Sequence, residues 1–200
     1  MKLSAVALVA LLSTLAVPAA DYDPMKLTGS PMAPVQIDVY SDFACPACRN
    51  FHETMLPVLI RDYVNAGKAN LIAREFPLNI PAHKFSREAA AWAIAAGKVG
   101  KYKEASDKLF ATQAAWNETG KFADVVLSVV PPAEQKKVTA IAKDPATAAA
   151  VQKDVDAGTA ARINQTPTLV VRRGTKSYTF AGPGPENYML LKSLIDGLLK

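Results

Sequence analysis

The 200-residue chain has two cysteines, and they stand together as Cys45-Pro46-Ala47-Cys48. An apolar run (Val35, Ile37, Val39, Tyr40) and a short turn precede them, and helix-forming sequence follows. A strand that feeds directly into a helix places the turn residues at the helix N-terminus, where unpaired N–H groups and the dipole favour negative charge. Cys45 takes that position, so its thiolate, the form that attacks sulfur, is stabilised. Cys48 lies one helical turn on, near the same face, close enough to close a small disulfide ring. Pro46 suits the first turn because its missing N–H would be unpaired there anyway. Thiol–disulfide exchange needs an exposed, acidic attacking sulfur and a second sulfur that resolves a mixed disulfide. Cys45 fits the first role and Cys48 the second. A purely structural bridge is a weaker reading, because so short a ring constrains little unfolded-chain entropy. Structural zinc wants four ligands, and only His52 and His83 are available beyond the pair, on either side of a predicted strand. Copper handling by the two thiols remains open as a different class of function.

The elements that position this pair follow from the pattern. Val35–Tyr40 is apolar enough for a central strand buried on both faces. The helix from Cys45 to about Ala66 repeats Phe51, Met55, Leu56, Leu59, Ile60 and Tyr63 at helical spacing, with a kink at Pro57 and an end at Gly67. Ala69–Phe76 is the next strand, and a crossover of this kind implies parallel, right-handed pairing. From His83 to Ile163 the pattern is helical only, four to five helices with breaks near 97–100, 116–120, 131–132 and 144–145. Trp92, Phe110, Trp116 and Phe122 recur at helical spacing and read as the core of that bundle rather than as a binding box. Thr168–Arg172 and Lys176–Phe180, joined around Gly174, form a hairpin, and Glu186–Leu199 is a last amphipathic helix. His52 shares a helix face with the cysteines and reads as packed; His83 reads as a helix-start residue with no assigned role.

Ser41-Asp42-Phe43-Ala44-Cys45-Pro46-Ala47-Cys48 with Phe51-His52 resembles the active-site segment of DsbA-like thiol:disulfide oxidoreductases, within the thioredoxin superfamily. Arg74, Phe76-Pro77-Leu78 and the Ala89–Ala96 run are similar to that family's second strand and the start of its helical insertion. Thr166-Pro167-Thr168, followed by Leu169-Val170-Val171, resembles its cis-proline loop and third strand. The resemblance runs from about Gly29 to the C-terminus. It implies an α/β thioredoxin fold with a helical insertion (about 83–163) between the second and third core strands, a domain over 34–200, and a lead-in over 21–33. It implies catalytic Cys45 and Cys48, and a shallow apolar groove for unfolded polypeptide around Phe43, Pro46, Ala47, Thr166, Pro167 and the loop Gly182–Gly184. No cofactor beyond the redox-active Cys45–Cys48 disulfide is implied, and no metal. Three departures stand out. Val39 occupies the strand position, six before the first cysteine, where many relatives carry a buried acid; Asp38 lies one place earlier, on the opposite face. Gln165 replaces the usual glycine before Thr-Pro. The Pro-Ala dipeptide lacks the thiolate-stabilising histidine of DsbA itself, so a less acidic Cys45 and a milder oxidant are expected.

Lys2, the apolar run Leu3–Val17 and the small residues Ala19 and Ala20 read as a secretory signal cleaved near Ala19 or Ala20. The compartment is then periplasmic or extracellular, where disulfides persist. A net charge of +5, dispersed among acidic and apolar residues, argues against nucleic acid. The expected activity is exchange of the Cys45–Cys48 disulfide with cysteines of exported, unfolded or partly folded proteins, as an oxidase. A membrane quinone-coupled protein, DsbB- or VKOR-like, would reoxidise the pair. A reductase or isomerase is the alternative within the same fold. A monomer is expected, because the short lead-in leaves no room for the dimerisation domain of isomerases.

Overall fold

The computed structural model describes residues 22–200. The expected signal segment, with its cleavage point near Ala19 or Ala20, lies outside the described residues. Strands β1 (Leu27–Thr28), β2 (Val35–Ser41), β3 (Ala69–Glu75), β4 (Thr168–Arg173) and β5 (Lys176–Ala181) form one five-stranded sheet in the order β1-β3-β2-β4-β5. β2 and β3 are parallel, from Val35 opposite Ala69 to Ser41 opposite Glu75. The remaining pairs are antiparallel, including the β4–β5 hairpin, whose turn runs through Gly174 at φ +56°. This is the thioredoxin arrangement, and β2 sits at its centre because both of its faces are buried, Val35, Ile37 and Val39 on one and Asp38 and Tyr40 on the other. Val35, Ile37 and Val39 pack with Phe51, Leu59, Leu191 and Ile195 on one side, while Tyr40 packs with Phe76 and Val170 on the other.

The helix that begins at the cysteines is more irregular than one kinked rod. Its α-helical pieces α1 (Pro46–Asn50) and α2 (Leu56–Leu59) alternate with π-helical segments at Phe51–Met55 and Ile60–Val64. Pro57 is the physical cause of the first widening: it offers no N–H and its ring clashes with the carbonyl one α-turn back. The preceding turn opens to i→i+5 bonding, with Leu56 N–H donating to Phe51 O, and takes the proline without ending the helix.

Six α-helices, rather than four to five, lie between β3 and β4 among the described residues: α3 (Ser86–Gly97), α4 (Tyr102–Ala111), α5 (Gln113–Thr119), α6 (Phe122–Leu127), α7 (Pro132–Ala142) and α8 (Pro145–Ala160). The additional break is Thr112, whose φ of −112° and ψ of 18° turn the chain without glycine or proline. Trp92, Phe110 and Trp116 are buried in this helical core; Phe122 packs edge-on to Trp116 with ring centroids 6.3 Å apart. α8 lies against the sheet at Gly158, where a Cβ would come within 2.6 Å of the Phe76 ring and 3.0 Å of Tyr40. A final helix, α9 (Tyr188–Leu199), covers the other face of the sheet through Leu191, Ile195 and Leu198.

A buried charge network ties the lead-in to sheet and helices. Lys26 Nζ lies 2.6 Å from Asp154 Oδ2 on α8 and 3.8 Å from Glu75 Oε1. Arg74 bridges Asp154 (3.1 Å) and Asp38 (2.9 Å), and Asp38 also pairs with Arg172. Asp38 therefore belongs to the face turned toward α8, whereas Val39 packs with Phe51 on the cysteine-bearing helix. The Tyr102 hydroxyl donates to Glu75 at 2.5 Å. Burial pushes the Glu75 carboxyl up to about 7, against the lowering effects of Lys26 and Tyr102.

Candidate active site

Cys45 is the N-cap of α1, with extended backbone (φ −79°, ψ 120°), at the end of the helix where the backbone N–H groups are unpaired. Both cysteines stand as thiols, and their environments differ sharply. The Cys48 thiol, donating to the Cys45 sulfur, is the largest influence holding Cys45 down at about 5; burial opposes it, and the Thr166 hydroxyl and the N–H groups of Cys48 and Ala47 assist. A thiol held there is largely thiolate at neutral pH. Cys48 is 0% exposed, and its thiol is pushed well above the ordinary value, first by burial and then by the neighbouring Cys45 sulfur. One sulfur is poised as a nucleophile and the other as a buried, protonated partner.

The second wall of the site comes from the far end of the chain. The Thr166–Pro167 peptide bond is cis, and Thr166 O lies 3.4 Å from Cys45 Sγ. The loop after β5 is tied to it by Gly182 N–H, which donates to Pro167 O at 2.9 Å. Pro46 and Ala47 are exposed on the rim. Cys45 is more covered than the sequence suggests, at 7% exposure, because the Thr166 loop closes over it.

Phe43 is placed differently from the groove expected of it. Its ring packs on Phe110 of α4 with centroids 4.9 Å apart, and it is buried, so it supports the loop from beneath. The reason is the helical layer, whose apolar face draws the ring inward. His52 turns the same way: its Nε2 lies 2.9 Å from Asp107 Oδ1 and its ring stacks on Phe110 at 4.6 Å. His83 is not an idle helix-start residue, since its Nδ1 lies 2.7 Å from Asp42 Oδ2. Gln113 was not singled out by the sequence at all. From α5 its Nε2 donates to the carbonyls of Phe43 (2.7 Å) and Cys45 (2.8 Å), bracing the loop that carries Cys45. No sequence signal marks it, because its partners lie about seventy residues away. Among the described residues no three His, Cys, Asp or Glu side chains are grouped so as to hold a metal ion.

Comparison with known proteins places these features in context. The thioredoxin family model matches residues 23–180. Among solved structures the chain is similar to α-DsbA1 of Wolbachia pipientis, with a TM-score of 0.71 and 23% identity over 87% of this chain and 90% of that one. It is equally similar to oxidised BdbD of Bacillus subtilis, with a TM-score of 0.70 and 23% identity over 87% and 92% of the two chains. At these identities the likeness is one of fold. Among curated proteins, the probable disulfide bond formation protein D of Bacillus cereus is 39% identical over 56 residues, which span 28% of this chain and 26% of that protein. The match thus covers about a quarter of the length of the curated relative.

Proposed function

The chain belongs to the thioredoxin family, and from that premise we propose that it is a DsbA-like protein disulfide oxidoreductase acting on exported polypeptides, in the oxidising direction. What carries this reading is the asymmetry of the two sulfurs: Cys45 at about 5 against the cis-proline loop, Cys48 fully buried and held protonated. A nucleophile that is a thiolate at neutral pH is a good leaving group from a mixed disulfide, and stabilising it favours the dithiol form, which makes the disulfide oxidising.

In the proposed cycle a substrate thiolate attacks Cys45 Sγ of the disulfide and Cys48 leaves. A second substrate thiolate then attacks the substrate sulfur of the mixed disulfide and displaces Cys45. Thr166 and Pro167, with exposed Pro46 and Ala47, receive the extended substrate segment. Beyond the Gly182–Gly184 loop, Met189 and Leu190 open α9 with 68% and 67% exposure, apolar surface of the kind an unfolded chain would cover. The proposed compartment is periplasmic or extracellular, with reoxidation of the pair by a membrane quinone-coupled protein. Among the described residues no helix is long and apolar enough to cross a membrane.

Oxidative refolding of a reduced, unfolded disulfide protein tests the reading. Catalytic amounts of the oxidised protein with a regenerating oxidant should accelerate recovery of the refolded protein's activity, and Cys45→Ser should abolish the effect. Equal rates with and without the protein would contradict it.

A further inference from the structure

Asp42, three residues before Cys45, has all its polar groups engaged. Its carboxylate is completely buried, and it accepts from Ala44 N–H (2.7 Å), Leu78 N–H (2.8 Å), His83 Nδ1 (2.7 Å) and the Ser86 hydroxyl. Its carbonyl accepts from Cys45 N–H at 3.1 Å. Its own N–H donates to Cys48 Sγ at 3.4 Å. A buried carboxylate is costly unless its lone pairs are filled, and here the donors come from three places: the loop itself, the segment after β3, and the first turn of α3. The exchange cycle described above uses neither Asp42 nor His83, yet one of these contacts ends on a reacting sulfur.

We propose that Asp42 and His83 form a positioning pair for the leaving sulfur: His83, with Ser86 and Leu78 N–H, locks the Asp42 side chain so that the Asp42 backbone N–H stays on Cys48 Sγ while the disulfide opens. The inference rests on the redox reading of the site. As a substrate thiolate bonds to Cys45 Sγ, the Cys45–Cys48 bond breaks and its electron pair moves to Cys48 Sγ, the atom the Asp42 N–H faces. A second substrate thiolate then bonds to the first substrate sulfur, and the electron pair of the broken mixed disulfide returns to Cys45. Two electrons have passed from the substrate to the pair; one substrate proton ends on Cys48 and the other in solvent. An N–H donor is worth more to a sulfur gaining charge than to a neutral disulfide sulfur, so a fixed donor here lowers the barrier more than it stabilises either end state. His83 acts only through Asp42, by removing the freedom of the loop to swing that N–H away.

The test is the second-order rate constant for reduction of the oxidised protein by reduced glutathione, measured together with the pH titration of Cys45 in the reduced protein. His83→Ala should lower the rate constant about tenfold with the Cys45 midpoint unchanged, the scale of one well-placed hydrogen bond. His83→Asn, which keeps a donor near the Nδ1 position, should return it to within about twofold of wild type. Ser86→Ala, a milder loss from the same carboxylate and the variant to rely on if His83→Ala does not fold, should lower the rate constant about threefold. Wild-type rates in the variants that remove a donor would overturn the inference. So would an equal loss in His83→Ala and His83→Asn, or a shifted Cys45 midpoint that accounts for the slower reaction. An unreactive wild-type disulfide would instead defeat the redox reading, so the two failures are distinguishable.

Discussion

Cys45 Sγ and Thr166 O lie 3.4 Å apart although 121 residues of chain separate them. The contact joins the start of the cysteine-bearing helix to the loop that precedes β4, and the Thr166 side chain joins the forces on the thiolate. Thr166→Val should raise the Cys45 midpoint above about 5, because the hydroxyl is one of the groups holding it down. The pH dependence of alkylation at Cys45 measures this, and an unmoved midpoint would remove Thr166 from the account.

The depressed Cys45 value also makes stability depend on redox state and pH. A folded pKa of about 5 against an ordinary 9 means that the folded dithiol releases a proton which the unfolded chain keeps. The resulting stabilisation is complete above the ordinary value and is lost as pH falls through about 5. The disulfide form has no such group. The melting temperature of the reduced form should therefore fall relative to that of the oxidised form on acidification from pH 7 to 4. Parallel curves would contradict the assignment.

Glu75 gives the opposite sign. Its folded pKa is raised by burial from 4.5 to about 7, so the folded chain holds a proton that the unfolded chain releases, and stability declines across that interval as pH rises. The decline should total about 3 kcal/mol at most, from the size of the shift. Glu75→Gln should flatten it, as followed by denaturant midpoints between pH 4 and 8. A variant as pH-sensitive as wild type would show that other groups dominate.

Gln113→Ala leaves the buried carbonyls of Phe43 and Cys45 without their side-chain donor. The cost should be about 1–3 kcal/mol in unfolding free energy, with Cys45 more rapidly alkylated as its loop loosens. Unchanged stability and alkylation would show that the brace carries nothing.

What the sequence discloses of this molecule is what local pattern encodes. The apolar run before Cys45, the thiol spacing, the proline at the first helical position and the hairpin around Gly174 each report on neighbours in the chain, and the family resemblance of these segments implies the thioredoxin arrangement. The Asp42 cluster and the Gln113 brace do not, because His83, Ser86 and Gln113 reach partners 41, 44 and 70 residues away. The break at Thr112 carries neither glycine nor proline, so α4 and α5 read as one helix. The family resemblance implies a groove position for Phe43, and only the packing of Phe110 against its ring shows why it turns inward. Asp38 and Val39 illustrate the gain from strand alternation: period two puts the acid on the face opposite Val39, and the structure adds that α8 covers that face and that Arg74 and Arg172 meet the acid.

The most direct measurement is the equilibrium of the Cys45–Cys48 pair with a series of glutathione buffers. The account predicts a potential clearly more oxidising than the value of about −270 mV for thioredoxin, and short of about −120 mV for DsbA, matching a thiolate of intermediate acidity. A potential at or below that of thioredoxin would contradict the oxidase reading and point to a pair kept reduced in its compartment.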